Sequence, residues 1–189
     1  MRIVGAVTLA ALVLVTAGMR RTPVLDETGI LGSPLGTRFD VKCPGGSLLV
    51  AVGAETGMWL HRLTAKCQQV TANGSLGTVV DASGDAGSSY SLNPLKHGEA
   101  KCPSGKVVGA FRMRHSVYVH EIWLRCYPWK SSERKFDRYG EQTEVKLSGT
   151  HFGSEMKGAE CPGATKPATG IIGRDGTYID AFGLRCTVP

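Results

Sequence analysis

Six cysteines are the residues whose type and spacing most directly suggest chemistry. They are Cys43, Cys67, Cys102, Cys126, Cys161 and Cys186. Taken in order they form three pairs, and the two cysteines of a pair lie 24, 24 and 25 residues apart. Equivalent cysteines in successive pairs lie 59 or 60 residues apart. No C-x-x-C pair or Cys/His cluster at zinc-ligand spacing is present, so the pattern favours disulfides over a metal site. Six thiols allow many pairings, and the repeated spacing favours one bridge within each pair.

The constant spacing indicates that one supersecondary unit occurs three times. Each segment between paired cysteines opens with Cys-Pro and has the pattern of a β-hairpin. In the second copy, β-rich runs at 106–114 and 118–126 flank a link of hairpin-loop length at 115–117. The corresponding runs are 47–52 and 58–67 in the first copy, and 169–173 and 178–186 in the third.

Alternation along the last strand of the second copy predicts which side chains share a face. One face would hold Tyr118, His120, Ile122, Leu124 and Cys126, and the other would hold Val119, Glu121, Trp123 and Arg125. On the preceding strand, Arg112 and Arg114 share a face beside His115, which predicts an anion-binding patch in this copy.

The N-terminus has the features of a signal peptide. Arg2 precedes an uncharged apolar run at 3–18, and Val15-Thr16-Ala17 fits the small-residue rule for cleavage after Ala17. We therefore expect a signal peptide at 1–17, a short extension at 18–25 and a secreted, extracellular protein, or a periplasmic one in a bacterium. The alternative is an uncleaved N-terminal anchor; after cleavage no membrane span is expected.

Composition places the rest of the chain among turn-rich globular proteins. The 189 residues include 25 glycines, 42% hydrophobic residues and 20% charged residues, without low-complexity runs. Three units that each have one apolar face can bury those faces around a common axis. We therefore predict an all-β, disulfide-stapled domain at 26–189, with three Greek-key repeats at about 26–70, 71–129 and 130–189 forming a three-sided β-prism.

Two sets of motifs resemble known β-prism families. The segment 29–40 and the loops at 57–61 and 176–180 are similar to the glycine-rich strand and the Gly-x-aromatic-aliphatic-Asp loop of jacalin-related lectins, including the griffithsin type. The Cys-Pro openings and the Leu-Arg-Cys endings also resemble the vitelline membrane outer layer protein. Both resemblances imply a prism of three Greek keys.

The lectin resemblance implies a sugar site in the third copy, formed by Gly176, Thr177, Tyr178 and Asp180. In that family the Asp carboxylate accepts hydrogen bonds from sugar hydroxyls, loop N–H groups such as that of Thr177 donate, and the aromatic ring packs on the sugar. His61 and His120 replace the Asp in the first two copies. The alternative is a purely structural turn in which Asp180 bonds local backbone N–H groups.

Other classes of function receive little support. The sequence contains no G-x-S-x-G, H-E-x-x-H or phosphate-loop motif, so we expect no catalytic residues, no metal and no cofactor. The net charge of +6 suits anionic partners, but no nucleic-acid-binding module is visible. We therefore expect a glycan or polysaccharide as partner. The alternative is a non-enzymatic structural protein of an extracellular coat, which would bind a matrix or envelope protein and no sugar.

Overall fold

The structure, a computed structural model, describes residues 26–88, 95–147 and 155–188. The expected signal peptide and N-terminal extension lie outside these ranges. Within these ranges all regular secondary structure is β-strand. No helix long and apolar enough to cross a membrane is found there. The strands are β1 (Leu31–Gly32), β2 (Thr37–Lys42), β3 (Ser47–Thr56), β4 (Leu60–Val70), β5 (Leu76–Asp81), β6 (Ala86–Gly87), β7 (Lys96–Lys101), β8 (Lys106–His115), β9 (Val119–Lys130), β10 (Lys135–Phe136), β11 (Thr143–Leu147), β12 (Glu155–Glu160), β13 (Ala168–Asp175) and β14 (Ile179–Cys186).

The strands form three antiparallel sheets, each built around one of the predicted hairpins. The first sheet has the order β5-β4-β3-β7 with β6 also on β4, and the second has the order β10-β9-β8-β12 with β11 on β9. The third has the order β1-β14-β13-β2, so its outer strands come from the N-terminal part of the chain. This pairing joins the two ends of the chain. The predicted all-β fold with three hairpin-centred units is confirmed.

The sheets are offset from the sequence repeats. The first sheet takes its outer strands from the segment after its hairpin, and the second sheet does the same, but the third takes them from residues 31–42. The third sheet therefore contains elements from both ends of the predicted 26–189 range. Internal repetition along the sequence does not reveal this exchange, because the cysteines mark the hairpins and not the outer strands.

All three disulfides lie within a repeat. The bridges are Cys43–Cys67, Cys102–Cys126 and Cys161–Cys186. Each joins a cysteine in the connection that leads into a hairpin to the hairpin's second strand, as the spacing predicted. A closed loop of about 24 residues stabilises a fold by roughly 3 kcal/mol in the chain-entropy account.

The inner faces of the sheets share one hydrophobic core. Phe111 from the second sheet and Phe182 from the third meet edge to face with ring centroids 5.0 Å apart, and Leu49 and Leu63 from the first sheet belong to the same cluster. Because the inner face of each sheet is apolar, closure around a common axis buries all three inner faces. The core therefore fixes how the three hairpins are oriented relative to one another.

Strict alternation fails near the tip of each hairpin. On β9, Val119 is fully buried in the core together with Ile122 and Leu124, although alternation predicted that Val119 faces away from them. The cause is a β-bulge: Arg114 pairs with Glu121 and the next pair is His115 with Val119, so one residue is skipped. A bulge reverses the phase of the strand, which sequence alternation alone does not reveal.

Candidate functional site

The skipped residue has the same position in all three hairpins. It is His61 in the first hairpin, His120 in the second and Asp180 in the third, each six residues before the closing cysteine. Bulges redirect a side chain out of the regular pleat. These three side chains are 5%, 3% and 4% exposed, so each polar group is held in a buried position beside a hairpin tip.

In the third hairpin, the chain between β1 and β2 passes directly against Asp180. The N–H of Ser33 donates to the Asp180 carbonyl at 3.0 Å, which fixes this connection beside the bulge. Gly36 has φ of +77°, and a Cβ there would overlap the Asp180 Oδ2 atom and the Asp175 carbonyl oxygen. Only glycine combines this left-handed backbone with so close an approach. Gly36 therefore lets the connection between β1 and β2 pack directly against the Asp180 carboxylate.

The Asp180 carboxylate accepts no hydrogen bond from the residues that the structure describes. Burial, together with the nearby Asp175 carboxylate, raises the pKa of Asp180. Asp175 itself accepts a hydrogen bond from the Gly87 N–H of the first sheet. A buried carboxylate without internal donors is costly, and the cost falls when external donors reach it. The interpretation of Asp180 as a turn residue saturated by backbone donors does not describe this geometry.

The hairpin tip opposite Asp180 is exposed and glycine-rich. Gly176 and Thr177 are exposed, and a Cβ on Gly176 would lie 3.6 Å from Asp180 Oδ2. The Gly176 N–H donates to the Tyr178 carbonyl at 2.9 Å, whereas the N–H of Thr177 has no hydrogen-bond partner among the described residues. The structure thus brings the four predicted site residues together, with an acceptor on Asp180 and an unused donor on Thr177.

The second hairpin has the same backbone but a different pair of side chains. Ser116 Oγ lies 2.8 Å from His120 Nε2, so the hydroxyl and the imidazole are hydrogen-bonded to each other. Burial lowers the pKa of His120, and the neighbouring Glu121 carboxylate opposes this shift. In the first hairpin, a Cβ on Gly57 would lie 3.3 Å from His61 Nε2. In the second copy, where His120 stands in place of the Asp, its side chain therefore makes an internal hydrogen bond with Ser116.

The aromatic residues of the three tips meet on the axis of the prism. Trp59, Tyr118 and Tyr178, each eight residues before a closing cysteine, have ring centroids 4.7 to 5.5 Å apart. Tyr178 also contacts the His61 ring at 4.7 Å. The Tyr178 ring is thus packed on protein rings, and it anchors the tip that carries Thr177. Sequence analysis missed this cluster, although the shared spacing before the closing cysteine pointed to it.

No metal-binding arrangement accompanies the site. Across residues 26–88, 95–147 and 155–188, no group of three or more His, Cys, Asp or Glu side chains is placed to hold a metal ion. The polar groups brought together at the third hairpin tip are the buried Asp180 carboxylate and the N–H of the exposed Thr177.

Comparisons with known proteins place this geometry in a familiar architecture. No protein-family model and no curated protein matches the chain. Several solved structures are similar. Malaysian banana lectin has a TM-score of 0.54 and 14% sequence identity, and the match covers 86% of this chain and 98% of that one. Calsepa lectin in complex with a bisected glycan has a TM-score of 0.58 and 14% identity over 88% of this chain and 99% of that one, and the mannose-binding jacalin-related lectin AcmJRL from Ananas comosus has a TM-score of 0.56 and 16% identity over 86% and 97% of the two chains. At such identities the likeness concerns the fold. The chain therefore has the β-prism fold of the jacalin-related lectins.

Proposed function

We propose that the protein is an exported carbohydrate-binding protein whose sugar site is the third hairpin tip. The observation that carries the proposal is the Asp180 carboxylate, which is 4% exposed and accepts no hydrogen bond from the described residues. Gly36 on one side and Gly176 on the other add no side-chain atoms beside it. In the proposed complex, two sugar hydroxyls donate hydrogen bonds to the Asp180 carboxylate.

Each side chain at the tip has a distinct role in the proposed complex. Asp180 accepts hydrogen bonds from two hydroxyls, and each such bond to a charged group contributes roughly 1.5–3 kcal/mol. The Thr177 N–H donates to a sugar oxygen. Tyr178 holds the tip in position through its contacts with Trp59 and Tyr118, and so contributes through the loop more than through its own ring.

The solved structures and the disulfides support this proposal at a coarser level. Two of the similar structures are those of a mannose-binding lectin and of a lectin in complex with a bisected glycan. Three disulfides are typical of proteins that fold in an oxidising compartment, which agrees with the expected export.

A glycan array followed by calorimetry on the best ligand tests the proposal. Asp180→Asn keeps the size of the side chain but removes its charge and one acceptor, and we expect affinity to fall by about tenfold or more, since 1.4 kcal/mol is a factor of ten. The control is Asp81→Asn, which neutralises an exposed carboxylate of the first sheet and should leave affinity unchanged.

Two outcomes contradict the proposal. Glycan binding that survives Asp180→Asn unchanged would place the sugar elsewhere. A folded protein with no ligand on a broad array would favour the other candidate from the sequence, a structural protein of an extracellular coat, whose partner a pull-down from that matrix would identify.

A further inference from the structure

A row of three side chains crosses the outer face of the second sheet. Arg112 on β8, Trp123 on β9 and Lys146 on β11 are in register. The Arg112 Cζ and the Lys146 Nζ each lie 5.2 Å from the centroid of the Trp123 ring, within the range of cation–π attraction. Since neighbouring strands lie about 4.8 Å apart, Trp123 holds two cations whose backbones are about 10 Å apart.

The carboxylates that pair with these cations lie deeper than the cations themselves. Arg112 pairs with Glu144, the Lys146 Nζ lies 2.7 Å from the Glu121 Oε1, and the Arg114 Nε lies 3.6 Å from the Glu121 Oε2. The side chains of Arg112, Lys146 and Arg114 are 43%, 36% and 34% exposed, against 30% for Glu144 and 0% for Glu121. A ligand that approaches from solvent therefore meets the cations first.

The other two sheets lack this arrangement. The position of Trp123, three residues before the closing cysteine, is Thr64 in the first sheet and Gly183 in the third. The first sheet does have two cations in register, Lys66 and Lys101, but the residue between them is Ala51. An aromatic spacer between two cations is thus a property of the second sheet alone among the described residues.

We propose that this face, the Trp123 face, binds an anionic polysaccharide through the sulfate esters or carboxylates of its sugars. Arg112 and Lys146 contact acidic groups on either side of Trp123, and Arg114 adds a third cation one row nearer the hairpin tip. Charge-assisted hydrogen bonds from guanidinium and ammonium groups suit such anions. The site is separate from Asp180 and does not depend on the function proposed for that residue.

A polysaccharide fits this face better than a single-stranded nucleic acid does. Nucleic-acid grooves combine cations with aromatic rings on which bases stack. Here the one aromatic ring in the row already has a cation against it on both neighbouring strands. What the face offers to a ligand is therefore charge at a fixed spacing, which suits acidic groups along a sugar chain.

Binding of dextran sulfate, measured by calorimetry with neutral dextran as the reference polymer, tests the inference. We expect saturable binding that weakens with salt, and a loss of about tenfold or more in the double variant Arg112→Gln/Lys146→Gln. The matched control is Lys66→Gln/Lys101→Gln, which removes the same net charge from the in-register pair without a tryptophan and should change affinity by less than about twofold.

The outcomes separate this inference from its alternatives. An equal loss of dextran sulfate affinity in both double variants would show that binding depends only on net charge, and would overturn the proposed site. Tighter binding of single-stranded DNA than of dextran sulfate, lost in the same Arg112→Gln/Lys146→Gln variant, would assign the face to nucleic acid. Asp180→Asn should bind dextran sulfate normally, so failure at one site leaves the other proposal untouched.

Discussion

The second and third hairpin tips share one backbone but differ in their side chains. Both have a bulge that buries a polar residue, and both have an N–H two residues before the tip aromatic that donates to that aromatic's carbonyl. The second tip has Ser116 beside His120, and the third has Gly176 beside Asp180. The second tip therefore places a hydroxyl beside its buried side chain, whereas the third leaves the Asp180 carboxylate without a donor among the described residues.

The buried groups of the two tips also respond to burial in opposite directions. Burial raises the pKa of Asp180 and lowers the pKa of His120, because in each case it disfavours the charged form. The imidazole is neutral at neutral pH and has a hydroxyl partner. The Asp180 carboxylate has no such partner among the described residues.

The largest effect is expected when the space beside Asp180 is filled. Gly36→Ala places a Cβ onto the Asp180 carboxylate and the Asp175 carbonyl at a positive φ, and should lower the free energy of unfolding by more than about 3 kcal/mol. The control is Gly46→Ala, which has a similar φ of +72° but no atom within 4 Å. It should lose only about 1–2 kcal/mol from backbone strain in urea denaturation. Equal losses would mean that crowding at Asp180 is unimportant.

Copying the second tip into the third should close the proposed sugar site. Gly176→Ser places a hydroxyl within reach of Asp180, as Ser116 reaches His120, and should weaken glycan binding by about tenfold or more because one charge-assisted bond is made internally. Gly176→Ala adds the carbon at an ordinary contact distance without a donor, and should weaken binding less. Calorimetry measures the glycan affinity of both variants. Equal losses of affinity in Gly176→Ser and Gly176→Ala would contradict the role given to the hydroxyl.

Removing the internal partner from the second tip should cost stability. Ser116→Ala leaves buried His120 without the hydroxyl that contacts its Nε2, and should lower the free energy of unfolding by about 1–2 kcal/mol. Thr177→Ala removes a hydroxyl from the equivalent exposed loop of the third tip. It should change stability by less than about 0.5 kcal/mol in the same denaturation assay. A neutral Ser116→Ala would show that the second tip is not held by this bond.

The smallest effect concerns pH. The raised pKa of Asp180 means that ionisation of this group opposes folding, so the penalty is present at neutral pH and disappears as pH falls through the raised pKa. Asp180→Asn should therefore melt at a higher temperature than the parent protein at pH 7. Calorimetric scans from pH 7 to pH 3 should show the gap narrowing; a gap that widens with acid contradicts the assigned sign.

The lowered pKa of His120 acts in the opposite direction. Its neutral form favours folding, so its contribution is complete above the ordinary histidine range and is lost as pH falls through the lowered pKa. His120 and Asp180 thus make opposing contributions to the pH dependence of stability. Of these two contributions, the Asp180→Asn variant retains that of His120.

Much of the fold could be predicted because a few residues encode it locally. Cysteine spacing fixed the three hairpins and their bridges, and the apolar faces of three equal units required closure. The exchange of outer strands in the third sheet could not be predicted, because nothing in β1 or β2 resembles a cysteine-marked repeat. Nor could the bulge at Asp180, since one skipped residue leaves no trace in a pattern of alternating side chains.

The candidate site was predictable in its members but not in their roles. The Gly-x-aromatic-x-Asp pattern identified Gly176, Tyr178 and Asp180, and the structure brings them together. The placement of the Tyr178 ring against Trp59 and Tyr118 depends on contacts between different repeats, which one sequence motif does not contain. The same holds for Gly36, whose importance follows from a chain segment 144 residues before Asp180 in sequence.

Amide NMR during titration with the best glycan tests the difference between the two tips most directly. Saturable shifts should appear at Gly176, Thr177 and Gly36, whereas Ser116 and Val117 should stay unchanged through the same titration. Shifts of equal size at the second tip, or a bound glycan that leaves the third tip unmoved, would contradict the assignment of an open acceptor to Asp180.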